Sequence, residues 1–106
     1  MCITELGSGR GTLLRDAIRS IYTVTNKQIA LDITILEKSQ RLKNLQKENL
    51  RNNNVRWISD IKKLSSEPQI IIANEFFDAL PINQYVKGNK GWHEKKITIN
   101  NSKLCF

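Results

Sequence analysis

The sequence predicts an α/β fold: a parallel, doubly wound sheet with helices, followed by a C-terminal β-hairpin. Three observations carry this expectation. Apolar runs of strand length alternate with segments of helical period over positions 1–81. The stretch Gln69 to Asn74 (QIIIAN) is almost wholly apolar, as a strand at the centre of a parallel sheet should be. A glycine-rich octet, Glu5 to Thr12 (ELGSGRGT), ends the first strand and opens the first helix, the corner at which such sheets bind ligands.

Taken in order, Met1 to Leu6 is a short strand. Thr12 to Ile21 is a helix, because Leu14, Ala17, Ile18 and Ile21 recur on one face while Arg15 and Arg19 fall off it. Thr23 to Gln28 is polar and loop-like. Ile29 to Glu37 (IALDITILE) is short and rich in β-branched residues, hence a buried second strand. Ser39 is a natural N-cap for a helix running to about Arg51, with Leu42, Leu45 and Leu50 as its buried contacts. Asn52-Asn53-Asn54 ends it. Val55 to Ile58 is a third strand, and Ser59 to Glu67 a loop or single turn closed by Pro68. After the fourth strand, Glu75 to Leu80 is a turn or short helix stopped by Pro81. Ile82 to Lys87 and Trp92 to Ile99 alternate around Gly88-Asn89-Lys90-Gly91, a hairpin signature. The expected organisation is one domain, with a β-α-β-α-β-β core over 1–81 and the hairpin region over 82–106.

With 106 residues, 40% hydrophobic and 25% charged, the chain is sized and composed for one globular domain rather than a disordered segment. No apolar run approaches the ~20 residues of a membrane helix, and the first residues lack a signal-peptide layout. Cys2 and Cys105 stand at opposite ends with no metal-ligand spacing, and read as reduced thiols of a cytoplasmic protein without a metal. The net charge of +7 accompanies abundant Ile, Lys and Asn, the residues AT-rich codons supply. The basic residues are not interleaved with stacking aromatics, so nucleic acid is not the expected partner. Lys38, Arg41, Lys43, Lys47 and Arg51 read as a solvated helix face. Trp57 and Trp92 read as packing residues, and His93, in the exposed hairpin, has no assigned role.

The octet holds three of the five glycines. Such a turn bends where a Cβ would clash and aims N–H groups at a polar ligand. The dinucleotide pattern G-x-G-x-x-G requires glycine where Thr12 stands, and no Gly-Lys pair supplies a Walker A loop. What remains is an acid-x-G-x-G-x-G spacing: Glu5, Gly7, Gly9 and Gly11. It resembles motif I of class I S-adenosylmethionine (SAM) methyltransferases, which implies a glycine turn against the methionine part of the cofactor and an acid supporting the loop and the ammonium. Glu37, at the end of the second strand, is placed to accept hydrogen bonds from ribose hydroxyls, although its distance from the glycines exceeds the ~20 residues of the dinucleotide fingerprint. Otherwise Glu37 would only cap the strand and pair with Lys38 or Arg41.

Asn74 to Pro81 (NEFFDALP) follows the fourth strand, at the sheet end where ligands and reacting groups meet. Asn74, Glu75 and Asp78 are expected to face the crevice of the glycines, with the two carboxylates able to hold a guanidinium or amine through charge-assisted hydrogen bonds. Phe76 and Phe77 could wall the site against water, with core filling the favoured role for Phe77.

Together ELGSGRGTLLRDAIR, ITILEKSQRLKNLQ, VRW, IIIANEFFDALPINQY and GWHEKKITI resemble successive blocks of the MidA-type SAM-dependent methyltransferases. That family includes the mitochondrial complex I assembly factor that methylates a complex I subunit on arginine. The resemblance runs from Glu5 almost to the C-terminus, and the NEFFDALP block is far more specific than the glycine spacing. It implies a partial Rossmann-like class I methyltransferase fold and S-adenosylmethionine as cofactor. Glu5, Gly7, Gly9 and Gly11 would contact SAM, Glu37 its ribose, and Asp60, after the third strand, its adenine end. Asn74, Glu75 and Asp78 would line the catalytic crevice. The implied acceptor is protein arginine, in a bacterial cytoplasm or a mitochondrial matrix. Ser8 stands where the family usually has proline, which should loosen the turn without abolishing it.

Family members are several times longer than this chain. The sequence is therefore expected to be a truncated piece, lacking the substrate-recognition region before the first strand and the elements beyond the hairpin. A sheet ending after its fourth strand should leave an apolar edge, prone to self-association or to pairing with a complementary fragment of the same enzyme. The rival expectations are an inactive fragment serving as a SAM-binding or protein-interaction module, and a basic nucleic-acid binder.

Overall fold

A computed structural model describes residues 1–100 and 103–105. Its centre is a four-stranded parallel sheet in the order β3-β2-β1-β4, built from β1 (Cys2–Leu6), β2 (Asp32–Leu36), β3 (Val55–Ile58) and β4 (Gln69–Ile72). The chain moves outward from β1 to β3, then returns across β1 to lay down β4. The strand order thus reverses between β1 and β4, the switch point at which open α/β sheets form their ligand crevice.

Parallel register puts Ile3, Ile33 and Val55 on one face, with Glu5, Ile35, Trp57 and Ile72 one step further along it. Helix α1 (Thr12–Val24) packs Leu14 and Ile18 onto this face, and Leu50, the C-cap of helix α2 (Gln40–Asn49), completes the cluster. Each of these fully buried aliphatic side chains contributes about 1.5–3 kcal/mol. On the opposite face Leu6, Leu36 and Ile58 form a smaller cluster with Leu64 and Phe76. The crossover from β3 to β4 is tied to that face by polar contacts. Arg56 donates to Thr34 Oγ1 (3.2 Å) and Lys63 O (3.4 Å), Thr4 Oγ1 donates to Gln69 Oε1 (2.6 Å), and Gln69 Nε2 to Ser65 O (2.8 Å).

Several boundaries differ from the sequence expectation. Helix α1 runs to Val24 instead of Ile21, because Tyr22 still packs on the core and Thr23 and Thr25 hydroxyls bond back to Arg19 O and Ile21 O. Strand β2 begins at Asp32, after the left-handed residues Asn26 and Lys27 turn the chain. Ser39 does cap α2, its Oγ accepting from Leu42 N–H at 3.3 Å. The side chain that α2 buries completely is Gln46, while Leu42 and Leu45 are only half-buried.

Strand β4 lies at the sheet's edge among the described residues, with Ile70 and Ile71 53% and 50% exposed, rather than at its centre. A 3-10 turn at Phe77–Ala79 follows. The hairpin pairs β5 (Gln84–Gly88) with β6 (Gly91–Lys95) around Asn89-Lys90. A second, unforeseen pair joins β7 (Thr98–Asn100) to β8 (Lys103–Cys105). Both pairs are separate from the main sheet, so Trp92 is 69% exposed and packs nothing in the core, against expectation. Asn101, Ser102 and Phe106 of the expected hairpin region lie outside the described residues. Cys2 and Cys105 are both free thiols. Among the described residues no helix is long and apolar enough to cross a membrane.

Candidate functional site

Beyond the register-aligned residues Leu6, Leu36 and Ile58, the ladder extends by one step. Gly7 N–H donates to Leu36 O (3.0 Å) and Glu37 N–H to Ile58 O (2.9 Å). The ends of three strands are thereby fixed side by side. Above them opens a cleft of about 710 Å³, lined by Gly7, Glu37, Lys38, Asp60, Phe76 and Phe77 together with Leu36, Leu80 and the Ser59–Lys62 segment.

The octet closes on itself. Gly11 N–H donates to Ser8 O at 2.7 Å, and Gly11, in the left-handed region at φ 79°, is the N-cap of α1. Glu5 is buried on β1 and accepts a hydrogen bond from the Ser8 hydroxyl. Burial pushes the Glu5 carboxyl above its ordinary value of 4.5, and the Ser8 hydrogen bond acts in the opposite direction. Ser8, expected to loosen the turn, is itself buried and bonded.

Gly7 joins the two halves of the crevice. It holds φ 65°, and a Cβ there would lie 2.6 Å from Cδ2 of Phe76. Only glycine lets the turn after β1 approach the ring that follows β4. Phe76 packs on the Leu6–Leu36–Ile58 cluster and meets Phe77 edge-on, with ring centroids 5.4 Å apart. Phe77 is 63% exposed and lines the cleft, so its expected place in the core is not what the fold gives it.

Glu37 is buried immediately beyond β2, with one carboxylate oxygen accepting from Ser39 N–H (2.9 Å) and the other from Gln46 Nε2 (3.2 Å). Each oxygen keeps a further acceptor site. The alternative, a pairing of Glu37 with Lys38 or Arg41, is not among the ion pairs of the described residues. Gln46 was missed from the sequence. Its Nε2 also donates to Gly9 O (2.9 Å), and its Oε1 accepts from Trp57 Nε1 (2.9 Å). A second α2 side chain, Asn49, donates to Arg10 O at 2.8 Å. The signal was present: Leu42, Gln46 and Leu50 recur every four residues, so Gln46 shares the buried face.

Asp60 caps the 3-10 turn at Ile61–Lys63, accepting from Lys62 N–H at 3.0 Å, and lines the cleft. Asn74, Glu75 and Asp78 stand beyond β4 and are exposed. Among the described residues the cleft lining takes Phe76, Phe77 and Leu80 from this segment and none of these three. Glu75 holds φ 50°, a conformation that costs a residue with a Cβ about 1–2 kcal/mol. Among the described residues no group of three or more His, Cys, Asp or Glu is placed to hold a metal ion.

The chain is similar to the mitochondrial protein arginine methyltransferase NDUFAF7 of Mus musculus, at 28% identity over 92% of this chain and 28% of the relative. The Xenopus laevis protein of the same name is 30% identical over the same shares. Its Caenorhabditis elegans homolog is 27% identical over 98% of this chain and 29% of the relative. The chain thus spans under a third of the length of these curated relatives. A solved structure, that of a COG1565 superfamily member from Burkholderia thailandensis bound to S-adenosyl-homocysteine, superposes with a TM-score of 0.67. It covers 95% of this chain and 27% of that one at 24% identity, and shows a shared fold. Residues 1–106 match a family described as "putative S-adenosyl-L-methionine-dependent methyltransferase". Matched from its first residue to its last, the chain belongs to this S-adenosyl-L-methionine-dependent methyltransferase family.

Proposed function

We propose that this chain forms the cofactor-binding portion of a MidA-type methyltransferase that uses S-adenosylmethionine and, in its complete form, methylates protein arginine in respiratory complex I assembly. The observation that carries the reading is the convergence of Gly7, Glu37 and Asp60 on one cleft at the point where strand order reverses. The residues present suit the cofactor. Glu37 retains free acceptor sites for a vicinal diol, the octet is built of glycines at positive φ, and about 710 Å³ is ample for a nucleoside.

In this reading Glu5, Gly7, Gly9 and Gly11 hold the amino-acid end, Glu37 the ribose and Asp60 the adenine end. The bound cofactor supplies an electrophilic methyl group on a sulfonium. Phe76 and Phe77 exclude water from that region, which strengthens every charge contact within it. Asn74, Glu75 and Asp78 receive the acceptor. A guanidinium bonded to both carboxylates would be oriented toward the cleft, and one of them would accept its N–H proton. The left-handed Glu75 supports a functional role for this turn, because such backbone strain clusters at active sites.

A second reading, cofactor binding or partner binding without turnover, is favoured by the exposure of Asn74, Glu75 and Asp78. In either reading β4 offers its free edge to a complementary strand of the same enzyme, and the setting is a bacterial cytoplasm or a mitochondrial matrix. Isothermal titration of the chain with S-adenosylhomocysteine is expected to give a dissociation constant of about micromolar or tighter. No heat at about millimolar ligand overturns the cofactor assignment. Methyl transfer to an arginine peptide by the isolated chain overturns the second reading.

A further inference from the structure

Gln46 is 0% exposed, and a buried amide is costly unless each of its groups is bonded. Here each is. One amide spans the Gly9 carbonyl, the Glu37 carboxylate and the Trp57 indole, at 2.9, 3.2 and 2.9 Å. Its orientation is fixed by chemistry alone. The indole N–H only donates, so it must meet the amide oxygen; the Gly9 carbonyl only accepts, so it must meet the NH2. Trp57 is pinned in turn by its place on β3, opposite Ile35, and by the Lys47 ammonium 5.7 Å from its ring centroid. An apolar side chain of the same volume would fill the space under the octet. It would not tie the turn after β1 to the carboxylate after β2.

We propose that Gln46 is a positioning residue that sets the ribose selectivity of the cleft, holding the Glu37 carboxylate and the Gly9 turn in one rigid frame. The proposal rests on the assignment of Glu37 to the ribose made above. With Ser39 N–H on one oxygen and Gln46 on the other, the carboxylate cannot rotate, and its two remaining acceptor sites are presented together. That is the arrangement two vicinal hydroxyls require. Released from Gln46, Glu37 keeps its charge and one backbone partner but loses its fixed plane. The consequence is a loss that falls more heavily on ligands that carry the diol.

The test compares isothermal titrations of the chain with S-adenosylhomocysteine and with its 2′-deoxy analogue. The native chain is expected to prefer the ribose ligand by about tenfold or more, the scale of hydrogen bonds to a charged acceptor. In Gln46→Met that preference should fall to within about threefold of unity, because the ribose ligand loses more affinity than the deoxy analogue, which feels only the loss of the Gly9 tie. If Gln46→Met does not fold by circular dichroism, Trp57→Phe removes only the indole donor and should narrow the preference by a smaller factor. A purely structural role would lower thermal stability and both affinities by the same factor, leaving the preference intact. A preference unchanged in the folded variant therefore overturns the role given to Gln46. A native chain that binds ribose and deoxy ligands equally overturns the assignment of Glu37 instead. A native chain that binds neither overturns the cofactor reading, and this inference with it.

Discussion

Gly7→Ala tests whether the glycine octet and the Phe76 segment form one site. Two costs add at this position. A left-handed backbone costs a residue with a Cβ about 1–2 kcal/mol, and Gly7 holds φ 65°. The new Cβ would lie 2.6 Å from Phe76 Cδ2 and 3.3 Å from Cε2, so the ring must move. Phe76 is packed on Leu6, Leu36 and Ile58, and displacing such a ring costs about 1–3 kcal/mol. The expected loss is therefore about 2–5 kcal/mol. Gly9→Ala is the internal control. It has φ 53° and nothing within 4 Å of its Cβ position, so only the backbone cost of about 1–2 kcal/mol applies. Urea denaturation, followed by circular dichroism, measures both variants. In a Phe76→Ala background the cost of Gly7→Ala should fall to that of Gly9→Ala, giving a coupling of about 1–3 kcal/mol. Equal losses at the two glycines, or no coupling between positions 7 and 76, would refute the contact as the reason for glycine.

The remaining predictions address charge, chemistry and the sheet edge. Glu5 binds its proton more tightly folded than unfolded, because its folded value lies above 4.5. Its contribution is therefore full below 4.5 and is lost as pH rises through the raised value. Glu5→Gln should remove this fall, seen as a flatter dependence of the urea midpoint on pH, whereas Ser8→Ala should extend the fall to higher pH. Glu75→Gln and Asp78→Asn should leave S-adenosylhomocysteine affinity within about twofold by titration, since both residues are exposed and outside the cleft lining. A tenfold loss would place them with the cofactor rather than with the acceptor. Ile71→Lys should weaken concentration-dependent association in sedimentation, with a change in stability of about 0.5 kcal/mol or less, because Ile71 is half-exposed on an edge strand.

Local periodicity made the core elements legible. β3 falls at Val55–Ile58 as expected, and Ser39 caps α2. Where expectation failed, long-range packing was responsible. Leu42 and Leu45 were expected to be buried because leucine usually is, yet the contact under the octet is polar and the face at Gln46 was taken by an amide. QIIIAN reads as a central strand, since its composition reports what could cover it rather than what does; among the described residues only β1 pairs with it. Trp92 was assigned to packing on the same logic, but its hairpin is separate from the main sheet.

The site was legible as two blocks and illegible as a junction. Glycine spacing singled out Gly7, and the order of strands placed Asn74 to Pro81 at the same end of the sheet. Neither fact says that the ring of Phe76 stands where a Cβ on Gly7 would go. Nor could spacing show that Gln46, on a different element, bonds the octet and Glu37 at once. The Gly7–Phe76 and Gly9–Gln46 links cross between elements separated by tens of residues, and their partners are a missing side chain and a backbone carbonyl, which leave no mark in composition. The glycine is therefore explained twice over: by the turn it makes, and by the aromatic wall that the turn admits. In the proposed function a ligand seated against that wall would meet a carboxylate held by Ser39 N–H and Gln46, so the surface would be ordered before the ligand arrives. Preorganisation of this kind spares the ligand the cost of ordering it.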